Sequence, residues 1–217
     1  MKPLCTIVGM GPGVAYGVAK KFGENGYGIA MIARDLKKLT SLELQLKDEG
    51  VEAHSFVANA GDENSLIHIF AQIHKELGPT DVLLYNAAVL KQSNILNTAS
   101  TDVIEDFKVN VLGAIVSVQQ VAPVMKEKRK GSILLTGGGL ANVPHPAYFS
   151  LAIGKAGIRN LTFSLAGELE PLGINVGTVT ISGLVKPGSR FSPDIIAAKF
   201  WEIHTQKGPR QREIIVQ

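Results

Sequence analysis

The sequence predicts one α/β domain, residues 1–217, built on a doubly wound parallel sheet of about seven strands, and three observations predict it. Short aliphatic and β-branched runs alternate with stretches of helical period from one end of the chain to the other. The runs are apolar on both faces, which requires helices on both sides of a parallel sheet and right-handed crossovers between its strands. The first run breaks into a glycine cluster before the first helix, and a glycine turn at that place offers free backbone amides to a phosphate.

Leu4 to Val8 has the length and branching of a buried strand, and Val14, Ala15, Val18, Ala19 and Phe22 follow at helical spacing. Tyr27 to Ala33 reads as the second strand, and Leu36, Leu39, Leu42 and Leu46 mark a helix closed by Gly50. Val51 to Ala58 is the third strand. Leu66, Ile69, Phe70, Ile73 and Leu77 stripe a helix ending near Gly78 and Pro79. Asp81 to Tyr85 gives a fourth strand, Val103 to Met125 one long helix, Ser132 to Thr136 a fifth strand, and Phe149 to Leu169 another long helix. Asn175 to Ile181 is the sixth strand, Ile195 to His204 the last helix, and Glu213 to Val216 a short seventh strand. No repeat, linker or low-complexity tract interrupts the series.

Composition narrows the function. The formal net charge of +3 is spread along the 217 residues and leaves no footprint for nucleic acid or an anionic membrane. Its densest cluster, Lys126, Lys128, Arg129 and Lys130, falls where a helix ends and suits the helix dipole. The single cysteine, Cys5, lies in the first strand, so no intrachain disulfide forms and a reducing cytoplasm is expected. The N-terminal apolar run is broken by Gly and Pro, unlike a signal peptide or a membrane span. Five scattered histidines and one cysteine support no metal site.

In a doubly wound sheet the ligand crevice lies beyond the carboxyl ends of the strands. The residues expected to converge there are Gly9 to Ala15, Arg34, Asn59, Asn86, Gly137 to Gly139 and Ser182. Gly9, Gly11 and Gly13 are spaced more tightly than G-x-G-x-x-G, which would need glycine at Val14; as G-x-x-x-G-x-(G/A) the cluster is Gly9, Gly13 and Ala15. After the second strand a carboxylate favours unphosphorylated ribose and a guanidinium favours a 2′-phosphate. Arg34 comes first, and Asp35 is read as the N-cap of the next helix, so NADP(H) is expected over NAD(H).

By these features the chain resembles the short-chain dehydrogenase/reductase family, which has a Rossmann fold, over essentially its whole length. The matching residues are Gly9, Gly13 and Ala15, the run Asn86-Ala87-Ala88, Asn110, Lys155, and residues 154 to 181 almost continuously. The resemblance implies that Asn59, with Ala60 beside it, meets the adenine, that Asn86 to Ala88 shape the pocket under the adenosine, and that Lys155 binds the nicotinamide ribose. It likewise implies cofactor contacts from Ser182, Gly183 and Val185, where the family commonly has Pro-Gly, with Leu184 to Pro193 standing for a longer substrate lid.

The resemblance fails at the catalytic centre. The family uses Tyr-x-x-x-Lys with a serine at the end of the fifth strand. Here the tyrosine position is Leu151, and the serine position is Gly138, or Gly137 in the neighbouring register. Asn110 and Lys155 remain of the four groups. Tyr148 is the obvious substitute, yet seven residues of helix set it about 10 Å along the axis from Lys155 instead of about 6 Å. It either bends inwards from the Pro144 to Pro146 loop or packs at the pocket mouth. His145 and Thr136 read as turn and strand-face residues, and Trp201 and His204 either border the pocket or pack on the sheet.

The function expected is therefore an NADP(H)-dependent oxidoreductase with a degenerate site, acting on a small-molecule carbonyl or activated alkene, with Lys155, Asn110 and Tyr148 as candidate catalytic residues. The alternative is a catalytically silent dinucleotide-binding sensor or scaffold. A homodimer or homotetramer is expected through the long helices that begin near Val103 and Phe149.

Overall fold

The computed structural model describes residues 2–207 and 210–217. Its strands are β1 (Leu4–Val8), β2 (Gly28–Ala33), β3 (Ala53–Val57), β4 (Val82–Tyr85), β5 (Gly131–Thr136), β6 (Ile174–Ile181) and β7 (Glu213–Val216). They form one sheet in the order β3-β2-β1-β4-β5-β6-β7, parallel throughout. The strand order reverses between β1 and β4, so the loops that follow these two strands diverge over a common crevice.

Helices α1 (Val14–Glu24), α2 (Leu36–Asp48) and α7 (Pro193–Thr205) cover one face. The other carries α3 (Glu63–Leu77), α5 (Gly113–Lys128) and α6 (Phe149–Leu169), with α4 (Ser100–Phe107) leading into α5. Each face has its own core. Ile7, Ile29, Met31 and Leu84 point into one, and Val8, Ile32, Leu83 and Leu135 into the other, which is why the strands read as continuous apolar runs. Local signals act as expected. Asp35 and Asp62 cap α2 and α3 by accepting from the amides of Lys38 and Ser65. Gly50 and Gly78 take φ of 80° and 93° after those helices, and α5 ends at Lys128 with Arg129 left-handed amid the basic cluster.

One expectation needs correction. The long helix from Val103 to Met125 is two helices joined in line by a π turn, Lys108–Leu112. The wide turn frees the Val109 carbonyl, which takes the buried Tyr85 hydroxyl. Gly113 then passes so close to the Ala60 carbonyl and the Tyr85 hydroxyl that a side chain there would overlap both. The stretch Ser100–Lys128 is long and apolar enough to cross a membrane by length and composition, and here α5 lays Val118, Val121 and Met125 on the sheet.

Of the two readings open for Trp201 and His204, packing holds, and neither lines the crevice. They close an aromatic cluster with Phe22 and Tyr27 between α1 and α7, with Phe22 edge-on to Trp201 at 5.0 Å. His204 sits between the Tyr27 hydroxyl on Nε2 and the Ser132 hydroxyl on Nδ1, each at 2.8 Å, and burial, with Lys130 adding to it, holds its pKa down at about 4. The ring is neutral across the physiological range. Phe22 is fully buried in this cluster, so Phe22→Ala is expected to cost about 3–5 kcal/mol in urea-unfolding stability.

Candidate functional site

A cavity of about 1260 Å³ runs along the carboxyl ends of the strands, from the end of β2 across the switch point to β5 and β6. Gly9, Gly11, Gly13 and Val14 line it at one side, with Arg34, Asn59 and Ala60 at the outer end. Asn86, Ala87 and Ala88, then Lys155, Ser182, Gly183 and Val185, line the rest. All the residues expected to meet a cofactor are thus brought to one cavity.

The glycine loop is shaped to admit a large group. Gly9 has φ of 87° and lies so close to the Ala87 backbone that a Cβ would collide with it, whereas a Cβ on Gly11 would meet nothing within 4 Å. Helix α1 has no side-chain cap, and Tyr16 and Gly17 are the first of its amides to reach carbonyls, those of Gly11 and Gly13. The preceding amides face the crevice at the positive end of the helix, which suits a diphosphate. Arg34 is exposed on the rim and has no hydrogen-bond or ion-pair partner among the described residues. Asp35 accepts from the Lys38 amide at 3.2 Å, and that bond holds its carboxyl below the usual range. Asn59 turns its side-chain oxygen to the Gly61 amide at 3.0 Å, which leaves one lone pair of that oxygen for a ligand. The cavity and its donors fit a dinucleotide.

The inner end is organised by Asn86. Its amide donates to the Gly9 carbonyl at 2.9 Å, and its oxygen accepts from the Thr136 hydroxyl at 3.0 Å. The Thr136 carbonyl in turn accepts from Lys155 Nζ at 2.8 Å. Burial pushes the Lys155 ammonium down to about 8. The Lys155 methylenes lie against the bare backbone of Gly138, 3.2 Å from where a Cβ would stand. One turn earlier on α6, Leu151 lines the cavity, and Leu90, Leu140, Val143 and Leu184 add apolar lining to it.

Two sequence candidates fall outside this lining. Asn110, in the π turn, accepts from the Val89 amide at 2.7 Å and packs its amide nitrogen, unpartnered and buried, on Gly154. It positions the loop after β4 instead of facing the cavity. Tyr148 is the N-cap residue of α6, its ring tilted against His145 at 5.9 Å and its backbone bridged to Ser93; it does not line the cavity. The turn at Pro144 to Pro146 carries the ring to the outer side, where His145 accepts from the Ala147 amide. Next to it Ser150 is buried and donates to Asp106, which also pairs with Lys91 at 2.8 Å. The apolar walls at Leu90, Leu140 and Val143 are not legible in the sequence, since Leu90 and Val143 are exposed aliphatics outside the regular elements and Leu140 sits in a single 3-10 turn, Gly139–Ala141, none of which carries a periodic signal. No cluster of metal-ligating side chains is present among the described residues.

The family profile described as short chain dehydrogenase matches residues 4–190 of this chain. The chain is 31% identical over 183 residues to 2,3-dihydro-2,3-dihydroxybenzoate dehydrogenase of Bacillus subtilis (strain 168), which covers 84% of this chain and 68% of that protein. It is 25% identical over 174 residues to the 3-oxoacyl-[acyl-carrier-protein] reductase FabG of Staphylococcus aureus (strain N315), 80% of this chain and 71% of that one. Among solved structures, a metagenomic short-chain oxidoreductase in complex with NADP superposes with a TM-score of 0.90 at 22% identity, covering 99% of this chain and 96% of that one.

Lys155 also links the site to stability. Its folded pKa of about 8 lies below the ordinary 10.5, so between these values the unfolded chain holds more protons and stability rises with pH. The burial penalty is full below about 8 and gone above 10.5. Denaturant titrations should therefore show the wild type gaining on Lys155→Met as pH is raised through that window, with the gap constant below it.

Proposed function

The chain belongs to the short chain dehydrogenase family, and on that premise we propose that it is an NADP(H)-dependent oxidoreductase whose site has exchanged the family's serine and tyrosine for Gly138 and Leu151. The observation that carries this reading is the one cavity joining a guanidinium with no partner among the described residues, a glycine-cradled helix start, a desolvated lysine and an apolar lining. The amides of residues 13 to 15 would hold the diphosphate, Arg34 the 2′-phosphate, and Asn59 the adenine end. Bound there, a reduced nicotinamide supplies a hydride. Lys155 would hold the adjoining ribose, and the substrate, a carbonyl or activated alkene carried on an apolar body, would lie against the lining of Leu90, Leu140, Val143 and Leu184.

Losing a positioned acid/base typically removes a factor of about 10² to 10⁴ in rate. Hydride transfer on such a scaffold favours activated acceptors. The same absence of hydroxyls at 138 and 151 supports the silent sensor or scaffold as the second reading, and binding without turnover on any acceptor would select it. Exposed Ile104 on α4, Leu112 in the π turn and Ile153 and Phe163 on α6 support self-association as a homodimer or homotetramer. The buried thiol of Cys5, raised by desolvation, suits a reducing cytoplasm.

Two measurements test the reading. Arg34→Ala should weaken NADPH binding at least about tenfold while leaving NADH binding nearly unchanged, since only a phosphate exploits the guanidinium; equal loss for both nucleotides would remove Arg34 from discrimination. Leu151→Tyr should raise the reduction of an ordinary ketone by about 10² or more, because it puts a phenol one turn from Lys155. An unchanged rate in that variant, folded and binding NADPH, would count against the assignment of position 151.

A further inference from the structure

We infer that Lys155 is itself the proton donor, passing an N–H proton from its ammonium to the substrate oxygen as hydride arrives at carbon. The inference rests on the oxidoreductase reading above and goes beyond it, since that reading needs Lys155 only to hold a ribose.

Among the described residues, the hydroxyl and ammonium groups at the inner end of the cavity are those of Thr136, Ser182 and Lys155. The Thr136 hydroxyl is spent on Asn86 Oδ1. Ser182 is exposed at the rim, and an unassisted hydroxyl is too weak an acid near neutral pH. Lys155 remains. One of its three N–H bonds goes to the Thr136 carbonyl, which fixes the ammonium at the end of β5 and leaves two donors for the cavity. Gly138 keeps that space clear, because a Cβ there would press on the Lys155 stem at 3.2 to 3.3 Å. On the helical side Leu151 adds apolar surface beside it, with no hydroxyl to intervene.

No carboxylate is in ion-pair range of Lys155 among the described residues. On the elements packed against α6, Asp106 is held by Lys91 and Ser150, Glu105 by Lys108, Glu213 by Arg159 and Thr180, Glu170 by Arg212, and the Tyr85 hydroxyl by Val109. Within α6, Arg159 is spent on Glu213, and Glu168 lies on the exposed side. Desolvation therefore acts on the ammonium unopposed and brings it to about 8, a value at which it is mostly charged at neutral pH and still gives up a proton readily.

The step balances. As hydride adds to the carbonyl carbon, the C=O π pair moves to oxygen; the Lys155 N–H bond breaks, its electron pair stays on nitrogen, and an O–H bond forms. The neutral amine then takes a proton from water. In the oxidative direction the neutral amine accepts the alcohol proton.

Two measurements decide it, both on the full chain. Competitive acetylation by acetic anhydride, read peptide by peptide across pH without nucleotide, should give Lys155 a midpoint near 8; a midpoint in the ordinary lysine range, near 10.5, would overturn the inference. Lys155→Arg keeps a cation and donors but holds its proton, so it should still bind NADPH and lose about 10²-fold or more in turnover. Aminoethylation of Lys155→Cys, with the buried Cys5 shielded from reagent, restores an amine of lower basicity. It should recover turnover, with the falling limb of the pH–rate profile for reduction shifted to lower pH. Turnover of Lys155→Arg within about threefold of wild type, or a limb that does not move in the aminoethylated variant, would overturn the inference and leave the oxidoreductase reading intact. A wild type that neither binds nor oxidises NADPH would overturn both.

Discussion

One side chain, Asn86, ties the switch point together. It leaves the end of β4 and joins the Gly9 carbonyl behind the glycine loop to the Thr136 hydroxyl at the end of β5. Three neighbouring strands, β1, β4 and β5, are thereby locked at their functional ends. The consequence runs further, because the Thr136 carbonyl, fixed by this bond network, is the group that seats Lys155. The glycine cradle and Lys155 at the inner end are thus held in one frame of consecutive hydrogen bonds, and a small shift in β4 would be felt at both.

The frame was partly legible. The alternation of apolar runs and helical stripes located all seven strands, and helix caps such as Asp35 and Gly78 marked their connections, because these are local signals. Gly9, Arg34, Asn59 and Asn86 reach one cavity because strand ends in a doubly wound sheet must converge there, and Lys155 reaches it from α6 by donating to the Thr136 carbonyl at the end of β5. What escaped is non-local. The π turn at Lys108–Leu112 depends on a carbonyl finding Tyr85 from another element, and no periodicity in its own stretch records that. The place of Trp201 and His204 was equally hidden. An aromatic stripe at helical spacing shows that one face is buried but not whether it packs on Phe22 or on a ligand.

Tyr148 shows the same limit at finer grain. Helical geometry returns a residue seven positions before Lys155 to nearly the same face, but only if it is helical. Here the helix begins at Phe149, and the backbone of Tyr148 pairs with Ser93, so the ring leaves on the side of His145. The buried set of Ser150, Asp106 and Ser93 holds that start in place. A single residue of helix boundary, the least certain quantity in any sequence reading, decides whether a phenol faces the cavity.

The features of positions 138 and 151 are physically coupled. A side chain at 138 would compete with the Lys155 stem for the same volume, and a polar group at 151 would offer the ammonium a partner. With glycine at one and leucine at the other, the lysine lies flat against the strand end and meets a carbonyl and aliphatic surface, with no hydroxyl from either position. Its acidity follows from this packing: what is removed around the ammonium is solvation, and the missing solvation lowers the cost of giving up the proton. The absence of hydroxyls and the readiness of the lysine to release a proton are therefore one property of the site seen from two sides.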